Sequence, residues 1–358
     1  MTMPYQSKQQ SAYISNVLPD SIRIQLQNAK DLAVNRLLRP NSFSNVVGVG
    51  IGRKLVGDEV TDTRCVRIYV QSKRSLYDLS PAEVVPSTFL DIPTDIINVG
   101  RLGRPGNPSD HLRDNQKGTR TGPGSSIRLK STSPNVNQGA AGTLGAVVRD
   151  GEARYVLSCN HILSLNGRVG PEDTCIVTPA LSHKPTHIAQ ASPHFIELKR
   201  GQRNSVDCAL APLVEPPAQR TDRFVQGSFR PAPLSGRAPG AAVASPSIGE
   251  ADRGQKVIKD GAITGLTSGT VVDVNADFYV EYSFGTFLFA NQIVIAGDND
   301  TFAADGDSGS IVIYPEVNQA IAMIFAESGR FAIACPLTEV LNQLREKANA
   351  PNLSLESS

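Results

Sequence analysis

Apolar residues recur with two different periods along this 358-residue chain. Between residues 21 and 38 they recur at helical spacing, and Pro40 then prevents the helix from continuing. The positions concerned are Ile22, Leu26, Ala29, Ala33 and Leu37. An amphipathic helix is therefore predicted near the N-terminus.

Residues 44–100 contain runs that alternate as strands do. Two such runs flank a polar turn in NVVGVGIGRKLVGDEVTDTRCVRIYVQSK, with Val66, Ile68 and Val70 on one face of the second run. A short helix is expected at SPAEVV, and a third strand at TDIINVG. Together with the helix before it, this stretch predicts a small α/β module over residues 1–100.

The composition changes after this module. Residues 101–138 are rich in Gly, Pro, Asn and charged side chains, as linkers are. From residue 139 onward, short apolar runs alternate with turn residues, which is typical of all-β structure. A second stretch rich in Pro and Gly divides this β region into halves of about 139–214 and 255–335.

The chain closes with PLTEVLNQLREKA, which places four apolar side chains on one helical face. These are Leu337, Val340, Leu341 and Leu344. Residues 346–358 are expected to form a tail. The pattern as a whole predicts a mainly β chain, with two small β domains and a C-terminal helix after the α/β module.

Charge and cysteine content narrow the functional classes. A formal net charge of +1 gives no electrostatic reason to expect nucleic acid or a membrane surface as a partner. The N-terminal MTMPYQSKQQSAY lacks the architecture of a secretion signal, and no apolar run is long enough to span a bilayer. Five scattered cysteines without a C-x-x-C pair argue against a disulfide framework. We therefore expect a cytoplasmic protein.

The stretch AADGDSGSIVI, residues 303–313, crowds Gly, Asp and Ser together just before a strand-like run. One interpretation is a tight turn, because these residues are the usual turn formers. The other is a nucleophile, Ser308, on a loop whose backbone N–H groups at Gly306 and Ser308 face a developing oxyanion.

A serine nucleophile needs a base and an acid that orients the base. His161 ends the strand-like YVLSCNH, where a side chain can face a cleft, and Asp207 interrupts an apolar run in NSVDCALAPL. Alone, the first also fits a structural histidine and the second a turn aspartate. Their order together with Ser308, at strand edges of a two-part β region, favours a catalytic triad.

The segments LSCNHIL, VDCALAPL and DGDSGS resemble the three signature segments of trypsin/chymotrypsin-like serine peptidases. VIKDGAITGLTSGTVVDV resembles the strand pair that opens the second barrel of bacterial members, and AIAMIFAESGRFAIACPLTEVLNQL resembles their substrate-binding strand, final hairpin and C-terminal helix. The resemblance covers about residues 139–345. It implies a chymotrypsin-like double β-barrel and an acyl-enzyme mechanism without a cofactor.

The resemblance also implies roles for individual residues. His161 would be the general base, Asp207 its orienting acid and Ser308 the nucleophile. The amides of Gly306 and Ser308 would form the oxyanion hole.

The same resemblance implies where substrate binds. The main chain from Phe325 through Ala326 to Ser328 would pair with an extended substrate as an added strand. Phe302, six residues before the nucleophile, would lie at the base of the specificity pocket with Ala303 beside it. Neither supplies an acid for recognition of Arg or Lys.

The sequence departs from the family in ways that concern specificity and activation. Asp305 and Glu327 are expected at the rim of the pocket, with Asp298 or Asp300 reaching inward. Asp307 matches an acid that pairs with a newly cut N-terminus in zymogen-type members. Here more than a hundred residues precede the peptidase-like part, so Asp307 needs another partner or a cleavage event.

The N-terminal module has a looser resemblance of its own. VVGVGIGRK, CVRIYVQSK and IPTDIINVG resemble the leading region of bacterial trypsin-like peptidases that are similar to the plant narrow-leaf proteins. This implies a module that restricts access, recruits a protein substrate or supports oligomerisation. The expected partner is a protein or peptide substrate, with a single dedicated partner protein as one option.

The histidine-rich segment SHKPTHIAQASPHF could also form a metal site. His183, His187 and His194 lie there, with Cys175 and Cys208 elsewhere in this region, but a proline separates the first two and disfavours a helical ligand pair. Loop histidines are the preferred interpretation, and no metal is predicted.

Two functions from different classes follow. The first is an intracellular serine endopeptidase that acts through a His-Asp-Ser triad. The alternative is a latent or inactive peptidase-fold protein that serves as a peptide-binding or regulatory scaffold. The presence of all three triad residue types in order favours catalysis, because a scaffold has little physical reason to keep a buried Asp beside a His.

Overall fold

A computed structural model describes the chain over most of its length. It covers residues 19–38, 45–56, 59–103, 122–131, 140–169, 174–178, 180, 185–214, 246–299 and 301–356. The chain divides into two compact units, Met1–Asn98 and Val99–Ser358. In the described ranges, no helix combines the length and apolar character that crossing a bilayer requires.

The first unit packs one helix against a small mixed sheet. Its elements are α1 (Asp20–Leu37), β1 (Val46–Val56), β2 (Glu59–Val70), β3 (Thr88–Phe89) and β4 (Ile92–Asn98). β1 pairs antiparallel with β2, β2 runs parallel to β4, and β4 pairs antiparallel with β3. The α/β character predicted for this part of the chain is confirmed.

The predicted N-terminal helix is present, and most of its predicted apolar face is buried. Leu26, Ala29, Ala33 and Leu37 are buried, whereas Ile22 is 39% exposed. The buried face of α1 therefore begins one turn later than the spacing predicts. The short helix expected at SPAEVV is a single 3₁₀ turn over Pro81–Glu83.

The second unit begins with eight short strands, and all of them except β11 (Arg203–Asn204) belong to two four-stranded sheets. Its elements up to residue 214 are β5 (Ser126–Ser131), β6 (Ala141–Thr143), β7 (Ala146–Asp150), β8 (Ala153–Ser158), α2 (Asn160–Leu163), β9 (Thr174–Thr178), β10 (Thr186–Gln190), β11 (Arg203–Asn204) and β12 (Ala209–Pro212). One sheet has the order β10-β9-β5-β6. The other joins β12, β8 and β7 with a last strand from the C-terminus.

A closed barrel follows. The remaining elements are β13 (Ser247–Ile248), β14 (Lys256–Gly261), β15 (Gly265–Tyr282), β16 (Gly285–Gly297), β17 (Ile311–Tyr314), β18 (Gln319–Ser328), β19 (Phe331–Pro336), α3 (Leu337–Ala348) and β20 (Ser354–Leu355). β14 pairs with β15 and β17, β16 pairs with β15 and β19, and β18 pairs with β17 and β19, all antiparallel. Six strands thus close on themselves, although β18 runs on to Ser328, beyond the end of its pairing with β17 at Met323.

The terminal helix agrees with the sequence pattern. All four predicted apolar side chains of α3, Leu337, Val340, Leu341 and Leu344, are buried. Together with the barrel and the two sheets, α3 confirms the predicted fold class, which is mainly β with a C-terminal helix.

Two expectations about connecting segments are wrong. The predicted linker 101–138 contains β5. Its Ile127 and Leu129 are fully buried and alternate with less buried residues, as in a strand with one face on the core. The predicted tail 346–358 contains the last residue triplet of α3 and β20, which pairs with β7. β5 and β20 both lie beside Gly-rich or polar sequence, and β20 has only two residues. Neither strand therefore shows an apolar period that the sequence pattern could reveal.

Candidate active site

His161 lies in α2, the single helical turn that directly follows β8. Asn160 holds this turn, since its side-chain amide donates to the carbonyl of Ile196 at 2.8 Å. The His161 ring is almost completely buried, at 3% exposure. The predicted position at the end of a strand is correct, and a helical turn stands where a loop was expected.

Asp207 lies just before β12, and its carboxylate faces His161. One carboxylate oxygen is 2.5 Å from Nδ1 of His161, and the other accepts from the His161 backbone N–H at 3.2 Å. Because a carboxylate only accepts, the proton of this hydrogen bond lies on Nδ1 of His161. Asp207 is fully buried. The structure therefore brings two of the predicted site residues into direct contact.

The Asp207 carboxylate has a third donor that the sequence did not reveal. The hydroxyl of Tyr282, at the end of β15, donates to the same oxygen as His161 Nδ1, at 2.7 Å. The ring of Tyr282 also packs on the His161 imidazole, with centroids 5.1 Å apart. No local motif marks Tyr282, because its partner is 75 positions away in the sequence.

Three buried thiols surround this pair. Burial raises the pKa values of Cys159, Cys208 and Cys335 well above their ordinary value, with the charge of Asp207 adding to the effect. The thiol of Cys159 donates to the carbonyl of Ile324 at 3.3 Å. A raised pKa keeps the Cys159 thiol protonated, and a protonated thiol is a poor nucleophile.

The loop that carries Ser308 packs on β6 and β8. Thr143 of β6 donates from its backbone N–H to the carbonyl of Ser308 at 2.8 Å, and from its hydroxyl to the carbonyl of Gly306 at 2.9 Å. Gly309 has φ +98°, and a Cβ added there would collide with the Ser158 hydroxyl and the Thr143 carbonyl. Since Ser158 ends the strand before His161, these contacts hold the serine loop beside the histidine turn.

Within the ranges that the structure describes, the groups expected to act on a substrate have no protein partner. Among the described residues, neither the amides of Gly306 and Ser308 nor the Ser308 hydroxyl makes a hydrogen bond within the chain. Ser308 itself is half-buried. Among the described residues, the loop that carries Ser308 is thus tied through Thr143 to Ser158, which ends the strand before His161, and no hydrogen bond joins the Ser308 and His161 side chains.

Asp307 has a partner from inside the protein. The ammonium of Lys259, on β14, lies 3.2 Å from the Asp307 carboxylate, and both side chains are fully buried. The backbone N–H of Ile263 and the hydroxyl of Thr264 also donate to this carboxylate, at 2.8 and 2.6 Å. Burial lowers the pKa of Lys259, and Asp307 opposes this shift. The partner that Asp307 was expected to need is therefore a lysine of the same chain.

The predicted substrate strand lies next to the serine loop. Gly309 donates to the carbonyl of Ile324 at 2.7 Å, and Ile324 donates back to Ser310 at 3.0 Å. The ladder between β17 and β18 ends at Met323. In the described part of the chain, no strand pairs with this edge from Phe325 to Ser328, and the Phe325 and Ala326 residues there are buried, at 2% and 5% exposure.

The residues expected to form the specificity pocket lie elsewhere in the structure. Phe302 and Ala303 lie in the hydrophobic cluster inside the barrel, 0% and 2% exposed. An aromatic ring gains more from packing among strand side chains such as Ile295 than from lining a wet pocket. Asp298 pairs with Lys256 at the surface, at 2.8 Å, instead of reaching inward. Asp300 lies outside the described residues.

Glu327 is the acid of this region with the most altered ionisation. Burial raises its pKa to about 7, with further contributions from the negative charges of Asp305 and Asp307. Glu327 is half-buried on β18, three residues after the Ile324 contact with the serine loop. Its carboxyl group therefore titrates near neutral pH, close to the predicted substrate strand.

The histidines considered as metal ligands are not brought together in the described residues. His187 lies on β10 with Nε2 3.0 Å from the Ala189 carbonyl, and His194 packs edge-on against Tyr155. His183 lies outside the described residues. Within the described part of the chain, one group of three metal-type ligand atoms lies within 4.8 Å, formed by Cys159, His161 and Asp207. In that group, His161 and Asp207 are already paired with each other.

One protein-family model matches part of the second unit. The Nal1 C-terminal domain family matches residues 247–330, which include most of the closed barrel. The N-terminal module, on which the likeness to plant narrow-leaf proteins was drawn, lies outside this match. No curated protein sequence matches the chain.

Several solved structures are similar to this chain. Thermobifida fusca Protease A has 18% identity and a TM-score of 0.41, covering 66% of this chain and 98% of that one. A glutamic acid specific serine protease with a histidine triad in substrate binding has 19% identity and a TM-score of 0.42, covering 66% and 100%. Cellulomonas bogoriensis chymotrypsin has 18% identity and a TM-score of 0.40, covering 66% and 98%. At such identities, the chemistry of this site has to be inferred from its own geometry.

Proposed function

We propose that this chain is a serine endopeptidase. His161 acts as the general base, Asp207 orients it, and Ser308 is the nucleophile. The amides of Gly306 and Ser308 form the oxyanion hole. The observation that carries the proposal is the buried contact of 2.5 Å between Nδ1 of His161 and the Asp207 carboxylate, beside a loop that presents Ser308.

The proposed reaction has two halves. Nε2 of His161 takes the Ser308 hydroxyl proton while Oγ bonds to the scissile carbonyl carbon, and the amides bind the resulting oxyanion. The intermediate then breaks its C–N bond, and His161 returns the proton to the leaving amine. Water, activated by His161 in the same way, cleaves the acyl-serine ester and releases the carboxylic product and free Ser308.

The unengaged groups of the serine loop support this assignment. The N–H groups of Gly306 and Ser308 have no acceptor among the described residues, so they are available to an oxyanion. Such donors stabilise charge only if they are already held in place before the reaction. Thr143 holds the loop through two carbonyls while leaving these amides unbonded.

We also propose that activity needs no cleavage of the chain. Lys259 supplies a buried cation to Asp307, the residue directly before Ser308. A zymogen uses a new N-terminal ammonium for this purpose, and an internal lysine removes the need for it. The serine loop is therefore expected to be ordered as soon as the protein folds.

Substrate and location are part of the proposal. An extended peptide would add to the edge of β18 at Phe325, Ala326 and Ser328, where no described strand pairs beyond Met323. The N-terminal module would recruit a protein substrate or support oligomerisation. No nucleic acid, membrane or cofactor is invoked. A cytoplasmic location is supported by four buried cysteines in the free thiol form, Cys65, Cys159, Cys208 and Cys335.

The deciding experiment is covalent labelling with a fluorophosphonate probe, mapped by mass spectrometry. We expect labelling at Ser308 in the wild type, and its loss in Ser308→Ala and His161→Ala. Ser268→Ala, which removes an exposed serine of the same barrel, is the matched control and should label normally. A folded wild type without label at Ser308 would instead support the latent or scaffold alternative.

A further inference from the structure

The hairpin of β15 and β16 extends beyond the residues that pair with the neighbouring barrel strands. β15 pairs with β14 between Gly265 and Thr270, and β16 pairs with β19 between Ile293 and Ala296. The outer half of the hairpin extends past these pairs to its turn, where Tyr282 is opposite Gly285. This extension carries Tyr282 from the closed barrel to His161 and Asp207, which belong to the first β region, residues 126–212.

Two arginines of the first β region hold the tip of this hairpin. Arg200 and Arg168 both donate to the carbonyl of Phe284, at 2.5 and 3.5 Å. The guanidinium of Arg168 also lies over the Phe284 ring, 5.3 Å from its centroid. These contacts fix the tip on the segment that follows the His161 turn and on the segment that precedes Asp207.

Aromatic packing then fixes the Tyr282 side chain itself. Its ring stacks on Phe284 with an interplanar angle of 10° and is edge-on to Phe287. The ring is 4% exposed, and a tyrosine hydroxyl at such a position needs a hydrogen-bond partner. Asp207 provides it at 2.7 Å. The ring packing therefore fixes the position of the hydroxyl, which donates to the carboxylate oxygen that also bonds to His161.

We infer that the Tyr282 hydroxyl is a positioning group for the triad. It holds the Asp207 carboxylate in the orientation that bonds to His161, and it stabilises the negative charge of that carboxylate. The inference rests on the proposed function for its kinetic consequence, but its structural part concerns His161 and Asp207 alone. Tyr282 does not touch the reacting atoms. It acts through Asp207, so its effect is on the orientation and proton affinity of His161.

The sign of the effect follows from the charges around the pair. The titratable groups that face it are the thiols of Cys159, Cys208 and Cys335, the phenol of Tyr282, and Glu339 of α3 next to two of the thiols. Burial raises the pKa of each thiol and of Tyr282, so these groups stay neutral at neutral pH. Removing the phenol hydrogen bond would concentrate the Asp207 charge on the oxygen that faces His161, which favours the protonated imidazole.

The test is Tyr282→Phe, which keeps the ring packing and removes only the hydroxyl. We expect the second-order rate constant for fluorophosphonate labelling of Ser308 to fall roughly tenfold. The pH midpoint of that rate should rise by about half a unit. Tyr279→Phe, on the same strand but with a half-buried side chain, is the matched control and should change neither quantity. Unchanged rate and midpoint in Tyr282→Phe would overturn the inference.

A second variant covers the case in which Tyr282→Phe does not fold. Site-specific replacement of Tyr282 by 3-fluorotyrosine keeps the hydroxyl and makes it a stronger donor, so the pH midpoint should move downward. A midpoint that stays in place, or moves upward, would contradict the positioning role. The two variants are thus expected to shift the midpoint in opposite directions, which a purely structural role would not produce.

The inference and the proposed function can fail separately. If the wild type labels at Ser308 but Tyr282→Phe behaves identically, only the inference fails. If the wild type does not label, the proposed function fails, and NMR titration of the His161 ring in wild type and Tyr282→Phe decides the inference. An upward shift of the His161 midpoint in the variant would support it, and equal midpoints would reject it.

Discussion

The ammonium of Lys259 lies 3.2 Å from the carboxylate of Asp307, with both side chains fully buried. Asp307 directly precedes Ser308, so this ion pair anchors the candidate nucleophile loop to β14. A buried ion pair contributes little net stability as a whole, but removing one partner leaves a charge without compensation. The pair is therefore more important for the conformation of the loop than for overall stability.

Lys259→Met should destabilise the protein strongly and reduce labelling of Ser308. Loss of one partner of a buried pair costs about 3–5 kcal/mol of the free energy of unfolding. Denaturant unfolding, together with fluorophosphonate labelling below the transition, measures both effects.

The same strand offers a control for that variant. Lys256 pairs with Asp298 at 2.8 Å, but its side chain is 64% exposed, so Lys256→Met should cost less than about 1 kcal/mol. The double variant Lys259→Met/Asp307→Asn should recover part of the lost stability, because it leaves no buried charge. Equal losses in Lys256→Met and Lys259→Met would show that the buried pair has no special role.

Asp207→Asn should abolish most of the reactivity of Ser308 with little change in fold. An amide in this position can donate to Nδ1 and favours the wrong tautomer of His161, which in the general triad costs about 10⁴-fold. The rate constant of fluorophosphonate labelling measures the loss. Asp298→Asn, at the surface ion pair, is the control and should react like the wild type. Full reactivity of Asp207→Asn would remove Asp207 from the proposed triad.

Glu327 should make stability depend on pH near neutrality. Its pKa is raised from 4.5 to about 7, chiefly by burial, so the folded state binds the proton more tightly than the unfolded state. Stability is then lost as pH rises through this window. Glu327→Gln should be more stable than the wild type at pH 8 by on the order of 2 kcal/mol, after allowance for partial solvent screening.

Denaturant unfolding at about pH 4 and pH 8 checks this prediction, and at the lower pH the two proteins should be nearly equal. Glu250→Gln removes an exposed acid and should show no such pH-dependent difference. A gain of the same size at both pH values would mean that ionisation of Glu327 is not the cause.

Gly309→Ala should disrupt the serine loop. Gly309 has φ +98°, and the new Cβ would meet the Ser158 hydroxyl and the Thr143 carbonyl, so strain and collision add. A loss of about 3 kcal/mol or more in the free energy of unfolding is expected. Gly265→Ala has φ +65° but open space, so it should cost only about 1–2 kcal/mol. A similar cost at both positions would argue against a tightly packed loop at Gly309.

Much of this organisation could be predicted from local sequence. The period of α3, the strand runs of the second unit and the Gly-Asp-Ser-Gly loop all depend on neighbouring residues. His161 and Asp207 could be found because each stands at the boundary of a buried strand. Ile22, by contrast, fits the helical period and is still exposed, because the period does not say how much of a helix another layer covers.

The sequence by itself therefore determined the β-rich class, the C-terminal helix and three candidate residues, since these follow from periodicity and from the few residue types that suit each task. The tertiary structure alone decided that Lys259 pairs with Asp307 and that Tyr282 bonds to Asp207. It also placed Phe302 in the core and brought β5 and β20 into the first β region. Each of these is a contact between distant segments, and a contact of that kind depends on how strands are ordered around a barrel and leaves no period in the chain.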